Sequence, residues 1–159
     1  FLFQIGARVF SLINVNPYDG WTAFSAKLKD MIERIKEISI ADAYTRVGIR
    51  YINGFDFNIL EKINLALNIS KDHLTDFDST IRMEVPSGDF ISTLQVINNA
   101  QVKKAEGTIK GSIIDIDTYI DNPKKDIIEI VEQGHKEEKK LFFTLLKEDF
   151  IKKELNPEY

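Results

Sequence analysis

The sequence predicts an α+β fold, with an antiparallel or mixed sheet of about five strands. Strand-like segments cluster in the second half of the chain, short turn sequences join them, and helical periodicity marks long segments elsewhere. The predicted order is β-α-β-α-β-β-β-α, with a long C-terminal helix packed on one face of the sheet. Because 159 residues fit the usual size of one domain, we expect a single domain over residues 1–159.

The N-terminal segment from Phe1 to Val15 predicts a strand. Apolar side chains alternate up to Val9 and the phase then shifts, which predicts a bulge between Arg8 and Phe10. The sequence does not begin with Met, so we expect a fragment that lacks its native N-terminus.

The first helix is predicted to follow a turn that contains Pro17 and Gly20. From Trp21 to Ile38, apolar side chains recur at steps of three and four residues, and charged residues fill the positions between them. This pattern indicates a helix that packs one stripe against a core.

The next strand, residues 44–53, contains the sequence Arg46-Val47-Gly48-Ile49-Arg50-Tyr51-Ile52-Asn53. Because strand side chains alternate, Arg46 and Arg50 share one face, and packing side chains such as Ile49 and Tyr51 share the other. The strand therefore predicts a sheet with one charged face.

The remaining elements are predicted from caps and turns. Asn58 is a candidate N-cap for a shorter helix that runs to Leu67. Three strands are then expected, joined by turns that favour antiparallel hairpins: Thr80 to Val85, Phe90 to Asn98, and Gly107 to Ile120.

A long final helix is predicted to start at Asp121-Asn122-Pro123 and to end at Asn156-Pro157. Gly134 lies inside it and is a candidate point for a bend, because a mid-helix Gly costs about 1 kcal/mol relative to Ala. His135 lies near its apolar stripe.

The stretch Arg46 to Asn53 resembles the RxGxRYxN strand of an uncharacterised, sporadically distributed prokaryotic family. Three further segments resemble the same pattern: Tyr18 to Phe24, the acidic strand Ile114 to Asp117, and the final helix with His135 before Phe142-Phe143. The resemblance implies an additional N-terminal stretch. Since the family has no established activity or cofactor, it implies no functional residue.

The candidate binding residues are Arg46 and Arg50 together with Asp115 and Asp117, which also share one strand face. Arginine forms bidentate pairs with carboxylates because its planar fork matches their geometry. If the two strands are neighbours, the four residues would form ion pairs across the sheet. A solvated face and an anion-binding patch are the alternatives.

His135 is a further candidate, either as a general base or as a histidine hydrogen-bonded at the edge of the core.

The chain has one other histidine, His73, and no cysteine, which disfavours a metal site. Asp115, Asp117 and the acidic residue Asp121 lack the spacing of a calcium loop. Phosphate-binding glycine motifs are absent from the sequence, and no cofactor is expected. Glu137 and Glu138 are predicted to be solvated helix surface.

Composition and charge limit the kinds of partner that we expect. A net charge of −4 disfavours nucleic-acid binding, which needs clustered cations, and no apolar run is long enough for a transmembrane helix. The absence of cysteine fits a cytoplasmic location.

With so few residues suited to catalysis, the leading hypothesis is a non-enzymatic interaction or structural domain that binds a protein partner or a second copy. A small-molecule pocket between a curved sheet and the C-terminal helix is the alternative. A hydrolase that uses His135 or a carboxylate pair is the third.

Overall fold

The computed structural model describes residues 1–15, 17–39, 43–66, 68–69, 72–73, 78–104 and 107–155. It forms two compact units, Phe1–Tyr44 and Thr45–Tyr159. The assignment of the whole chain to a single domain stays a prediction.

The first unit begins with a two-stranded antiparallel hairpin, β1 (Leu2–Ile5) and β2 (Phe10–Ile13). The Gly6 amide donates a hydrogen bond to the Val9 carbonyl at 2.7 Å, which closes the turn. The prediction of one bulged strand was therefore wrong. The shift in apolar phase marks a reversal of the chain, because residues on the two sides of a turn follow independent alternations.

The predicted first helix is confirmed as α1 (Trp21–Glu37). It begins after Gly20, whose φ of +87° lies in the left-handed region that glycine adopts without strain. Met31, Ile32 and Ile35 are buried at the spacing of one helical stripe.

The second unit is built on a four-stranded antiparallel sheet in which a meander of three strands is joined by an earlier strand. The spatial order is β3-β8-β7-β6. A separate two-stranded pair, which the sequence did not predict, precedes the meander. The strands of this unit are β3 (Arg46–Phe55), β4 (Asn68–Ile69), β5 (Asp72–His73), β6 (Ser79–Ser87), β7 (Phe90–Lys104) and β8 (Gly107–Asp121).

The α+β class, the antiparallel hairpins and the C-terminal helix of the prediction are confirmed, but the main sheet has four strands where about five were predicted, and the predicted order of elements is not matched exactly. The N-terminal strand that would have been the fifth is instead paired within the first hairpin. Pairing of neighbouring strands through a short turn costs less loop-closure entropy than pairing with strands far along the chain.

The predicted helix after Asn58 was also wrong beyond its first turn. Asn58 does cap a helical turn, since its side chain accepts a hydrogen bond from the Leu60 amide at 3.0 Å. That turn is a short 3₁₀ segment, Ile59–Lys62. Ile63 then extends to form a β-bridge with Leu146, which a continuing helix would prevent. Residue 67, the predicted end, lies outside the described residues.

The long C-terminal helix α2 spans Ile127–Leu145, and Asp126 caps it by accepting a hydrogen bond from the Ile128 amide at 2.9 Å. It is shorter than predicted at both ends. The predicted start at Asp121 was wrong because β8 continues to that residue, and the helix stops earlier than predicted because Leu146 is extended and pairs with Ile63. A short helix α3 (Glu148–Phe150) and a π-helical segment (Ile151–Leu155) follow. The predicted end at residues 156–157 lies outside the described residues.

Helix α2 is continuous through Gly134, and this glycine explains how closely the helix approaches the sheet. A Cβ atom at position 134 would lie 3.2 Å from Ile49 Cδ1 and from Phe90 Cε1. The core between helix and sheet continues toward the end of α2. Its buried members are Ile59, Leu60, Ile63, Leu94, Val96, Ile114, Ile116, Leu145, Leu146 and Phe150.

Candidate functional site: a charged sheet face, polar residues of the last helix and an apolar hairpin

The face of the sheet turned away from α2 carries the four charged residues predicted from sequence. β3 and β8 are antiparallel neighbours, in a register that sets Arg50 opposite Asp117 and Arg46 opposite Asp121. Because side chains alternate, Arg46, Arg50, Asp115 and Asp117 all project to the same side. We call these four residues the charged face.

Arg50 and Asp115 form a bidentate pair on this face. The Nε–Oδ1 distance is 2.8 Å and the Nη2–Oδ2 distance is 2.5 Å. The side chain of Asp115 is only 10% exposed, whereas that of Arg50 is 58% exposed. The hydrogen bond to Asp115 raises the pKa of the Arg50 guanidinium and outweighs the lowering by burial. A nearly buried carboxylate is thus neutralised by a cation that keeps much of its hydration.

Arg46 pairs with Asp117 more loosely, with an Nη2–Oδ2 distance of 3.2 Å, and its guanidinium carbon lies 3.5 Å from the centre of the Tyr119 ring. Gly48 lies between Arg46 and Arg50 on β3 and leaves room for this arrangement. A Cβ atom there would come within 3.3 Å of Asp117 Oδ1 and of Tyr119 Cβ. The cation is therefore held by a carboxylate and an aromatic face together.

His135 is a residue of α2 and lies on the side of the sheet opposite to the charged face, where the helix meets the sheet. Its Nδ1 is 3.2 Å from the hydroxyl oxygen of Tyr51, a residue of β3, and the two ring centres are 5.7 Å apart. Burial lowers the pKa of His135, and the positive charge of Lys139 lowers it further against an opposing effect of Glu132. The neutral imidazole is favoured, in hydrogen-bond contact with a tyrosine.

Glu138 is the residue that sequence reasoning missed, since it was predicted to be solvated surface. Its side chain is buried, the whole residue being 4% exposed, and burial raises its pKa to about 7. Spacing along the helix could have found it: Glu138 is seven residues after Val131 and seven before Leu145, both buried. It was predicted to be exposed because its side chain is acidic, although its position along the helix matches the buried stripe.

The predicted site residues therefore fall into two groups. The charged face brings Arg46, Arg50, Asp115 and Asp117 together, while His135 lies on the other side of the sheet beside Tyr51. Alternation along β3 separates the groups, because Arg50 and Tyr51 are consecutive. A binding role for these residues stays a prediction.

The first unit has an exposed apolar surface on its hairpin. We call the following side chains, each 37% to 64% exposed, the apolar hairpin surface: Phe1, Leu2, Phe3, Ile5, Val9 and Ile13. The strands themselves, with sequences LFQI and FSLI, contain no charged residue. Strand edges are usually protected from association by charges, proline or bulges.

The residues that the structure describes also bear on other kinds of site. Within them, no three His, Asp or Glu side chains form a metal-binding group, and no helix is long and apolar enough to cross a membrane. An open depression of about 490 Å³ lies on the surface of α2, lined by Lys136, Lys139, Lys140 and Phe143. It is on helix surface and not between helix and sheet.

Comparison with known proteins found no matching protein family, curated sequence or solved structure. The resemblance suggested by the Arg46 to Asn53 strand stays a prediction.

Proposed function

We propose that this chain is a non-enzymatic interaction domain, which associates with a second copy of itself through the apolar hairpin surface. The observation that carries the proposal is the exposure of Leu2, Phe3, Ile5 and Val9 on a hairpin whose two strands contain no charged residue. Exposed apolar side chains grouped on one hairpin are characteristic of protein contacts. A cytoplasmic location, predicted from the absence of cysteine, belongs to the same proposal.

The hairpin is suited to a protein partner for two reasons. An isolated two-stranded hairpin is marginally stable in water and gains stability when a further surface covers it. Its strands also carry backbone N–H and C=O groups along their outer edges, which an added strand can pair with. A mainly apolar surface can be complementary to its own copy, as a two-fold symmetric interface requires.

The chemistry-bearing residues support the proposal indirectly, because they are engaged within the fold. Asp115 is paired with Arg50, Asp117 with Arg46, and His135 with Tyr51. An anion bound at the charged face would have to compete with these carboxylates.

The close approach of α2 to the sheet counts against the alternative of a pocket between them. At Gly134 even a methyl group would crowd Ile49 and Phe90. A helix-grip pocket needs open volume of a few hundred cubic ångströms at such a place.

Sedimentation velocity tests the proposal. The wild-type protein is compared with an Ile5→Lys/Val9→Lys variant, in which both changed side chains are about 60% exposed and so contribute little to the fold. We expect concentration-dependent self-association of the wild type below about 100 μM, and loss of this association in the variant because a charge cannot be buried in an apolar contact.

Ile52→Lys is the matched control, since Ile52 is 62% exposed but lies on β3 of the second unit. It should associate as the wild type does. A wild-type protein that stays monomeric over this range, or a hairpin variant that associates equally well, would contradict the proposal.

The hydrolase, the third hypothesis from the sequence, is the second candidate because one observation favours it: Glu138, whose pKa burial raises, is three residues from His135 on the same helix. Perturbed acids beside a histidine are typical of catalytic sites. The test is hydrolysis of a chromogenic ester by the wild type and by His135→Gln. Turnover that disappears while the melting temperature is retained would favour the hydrolase, whereas absence of turnover in the wild type would reject it.

A further inference from the structure

Glu138 is a carboxylic acid placed where α2 meets the sheet. It lies one helical turn after Gly134, where helix and sheet are close enough that a methyl group would be crowded. The residue is 4% exposed. Burial alone raises the pKa of its carboxyl group, with no contribution from a charged neighbour. A carboxylate held at such a place without a neutralising charge is costly in its ionised form, so its protonation state must be coupled to helix docking.

The groups around Glu138 offer it no compensating charge. From β3, Tyr51 is the titratable side chain on the face that α2 covers, and it contacts His135. On α2 itself, Glu137 accepts a hydrogen bond from Ser87 of β6. Lys139 lowers the pKa of His135, and Glu132 raises it. The covered faces of β7 and β8 contribute apolar, hydroxyl and amide side chains: Phe90, Ser92, Leu94, Val96, Asn98, Ser112, Ile114, Ile116, Thr118 and Ile120.

We propose that Glu138 makes the docking of α2 sensitive to pH, so that ionisation of this carboxyl group weakens the contact between the helix and the sheet and shifts the opening equilibrium toward the released helix. The docked helix holds the neutral acid in an apolar interface. The released helix exposes the carboxylate to water, where ionisation has no desolvation cost. The device is independent of the apolar hairpin surface, which lies in the other unit.

The direction of the effect follows from linkage. Glu138 has a pKa of about 7 when docked and an ordinary value of 4.5 when released. The docked helix therefore retains a proton that the released helix loses between these values, so docking is favoured at low pH and weakens as pH rises through about 7. Between about pH 5 and pH 8, the opening equilibrium should shift by roughly 70-fold toward the released helix.

His135 acts in the opposite direction. Its pKa is lowered in the docked helix, so protonation at acid pH favours release. A comparison of the wild type with a variant at position 138, made at each pH, separates the two contributions because His135 is present in both proteins.

Hydrogen exchange read by mass spectrometry tests the proposal, with rates corrected for the intrinsic effect of pH. In the wild type, amides of Ile127–Leu145 should open roughly 70-fold more often at about pH 8 than at about pH 5, apart from the opposing effect of His135. In Glu138→Gln, this alkaline increase should vanish. Glu138→Leu provides the same comparison if the buried amide of the first variant destabilises the fold.

Glu137→Gln is the matched control, because it removes the neighbouring acid and leaves Glu138 in place. It should keep the wild-type pH dependence. The proposal is overturned if the wild type and both position-138 variants share one pH profile. It is also overturned if strands β7 and β8 open to the same extent as α2, since that would be global unfolding and not release of the helix.

Discussion

The Arg50–Asp115 pair predicts an asymmetric response to mutation. Arg50→Ala would leave the Asp115 carboxylate, with a side chain that is 10% exposed, without its bidentate partner. Asp115→Ala would instead leave Arg50, which is 58% exposed and can be solvated where it lies. Removal of the exposed partner should therefore destabilise the protein more than removal of the buried one.

The magnitude follows from the exposure of each partner. A hydrogen bond to a charged group contributes about 1.5–3 kcal/mol, and an uncompensated buried charge costs about 3–5 kcal/mol. Solvent screening at the half-exposed guanidinium reduces these values. We expect Arg50→Ala to cost about 2–3 kcal/mol and Asp115→Ala about 1 kcal/mol in free energy of unfolding.

The assay is urea unfolding followed by circular dichroism, since guanidinium chloride would screen the charges. Asp115→Asn added to Arg50→Ala should restore part of the lost stability, because it removes the unpaired negative charge of Asp115. Arg46 and Asp117 provide a comparison pair that is 50% and 36% exposed, and their coupling energy should stay below about 1 kcal/mol. Equal costs for Arg50→Ala and Asp115→Ala, or no rescue by Asp115→Asn, would refute the reasoning.

Three further predictions concern the packed interior. Gly134→Leu should destabilise the protein by about 1–3 kcal/mol in thermal unfolding, because Ile49 and Phe90 leave no room for a side chain, and a neutral effect would contradict the packing. Ser112→Ala should cost about 1–3 kcal/mol in urea unfolding, since the buried hydroxyl accepts a hydrogen bond from the Ile59 amide at 3.1 Å; a loss below about 0.5 kcal/mol would argue against that bond. His135→Gln should cost about 1 kcal/mol at about pH 8 through loss of the Tyr51 contact. That cost should shrink toward about pH 5. Because the pKa of His135 is lowered in the folded protein, the stabilising effect of this residue is present above its ordinary pKa and is lost as the pH falls. A cost that grows on acidification would refute the assignment.

Sequence reasoning succeeded where a local pattern determines the structure. Trp21–Glu37 is helical because its apolar side chains recur at helical spacing, and the face of Arg50 follows from strand alternation. The meander was predictable because short turns connect strands that are adjacent in the chain.

It failed where contacts between distant segments decide the outcome. The helix after Asn58 stops because Ile63 pairs with Leu146, eighty-three residues further along the chain. The phase shift before Phe10 has two local solutions, a bulge and a reversal, and the sequence pattern fits both. Pairing partners of this kind leave no periodic signal.

The candidate site divides in the same way. Pairing of Arg46 and Arg50 with aspartates could be anticipated, since charges on neighbouring strands of one face attract each other. The buried position of Glu138 was missed because residue type was weighted above helical position. The exposure of the hairpin depends on what covers it, which no pattern in β1 and β2 records.

The central claim is that the polar residues hold the fold together while the apolar hairpin surface makes the contact with a second copy. Amide chemical shifts measured by NMR while the protein concentration is raised from about 10 μM to about 500 μM test this claim residue by residue. The account predicts concentration-dependent shifts confined to the hairpin, from Leu2 to Ile13. Shifts centred on the charged face or on Tyr51 and His135, with the hairpin unchanged, would contradict it.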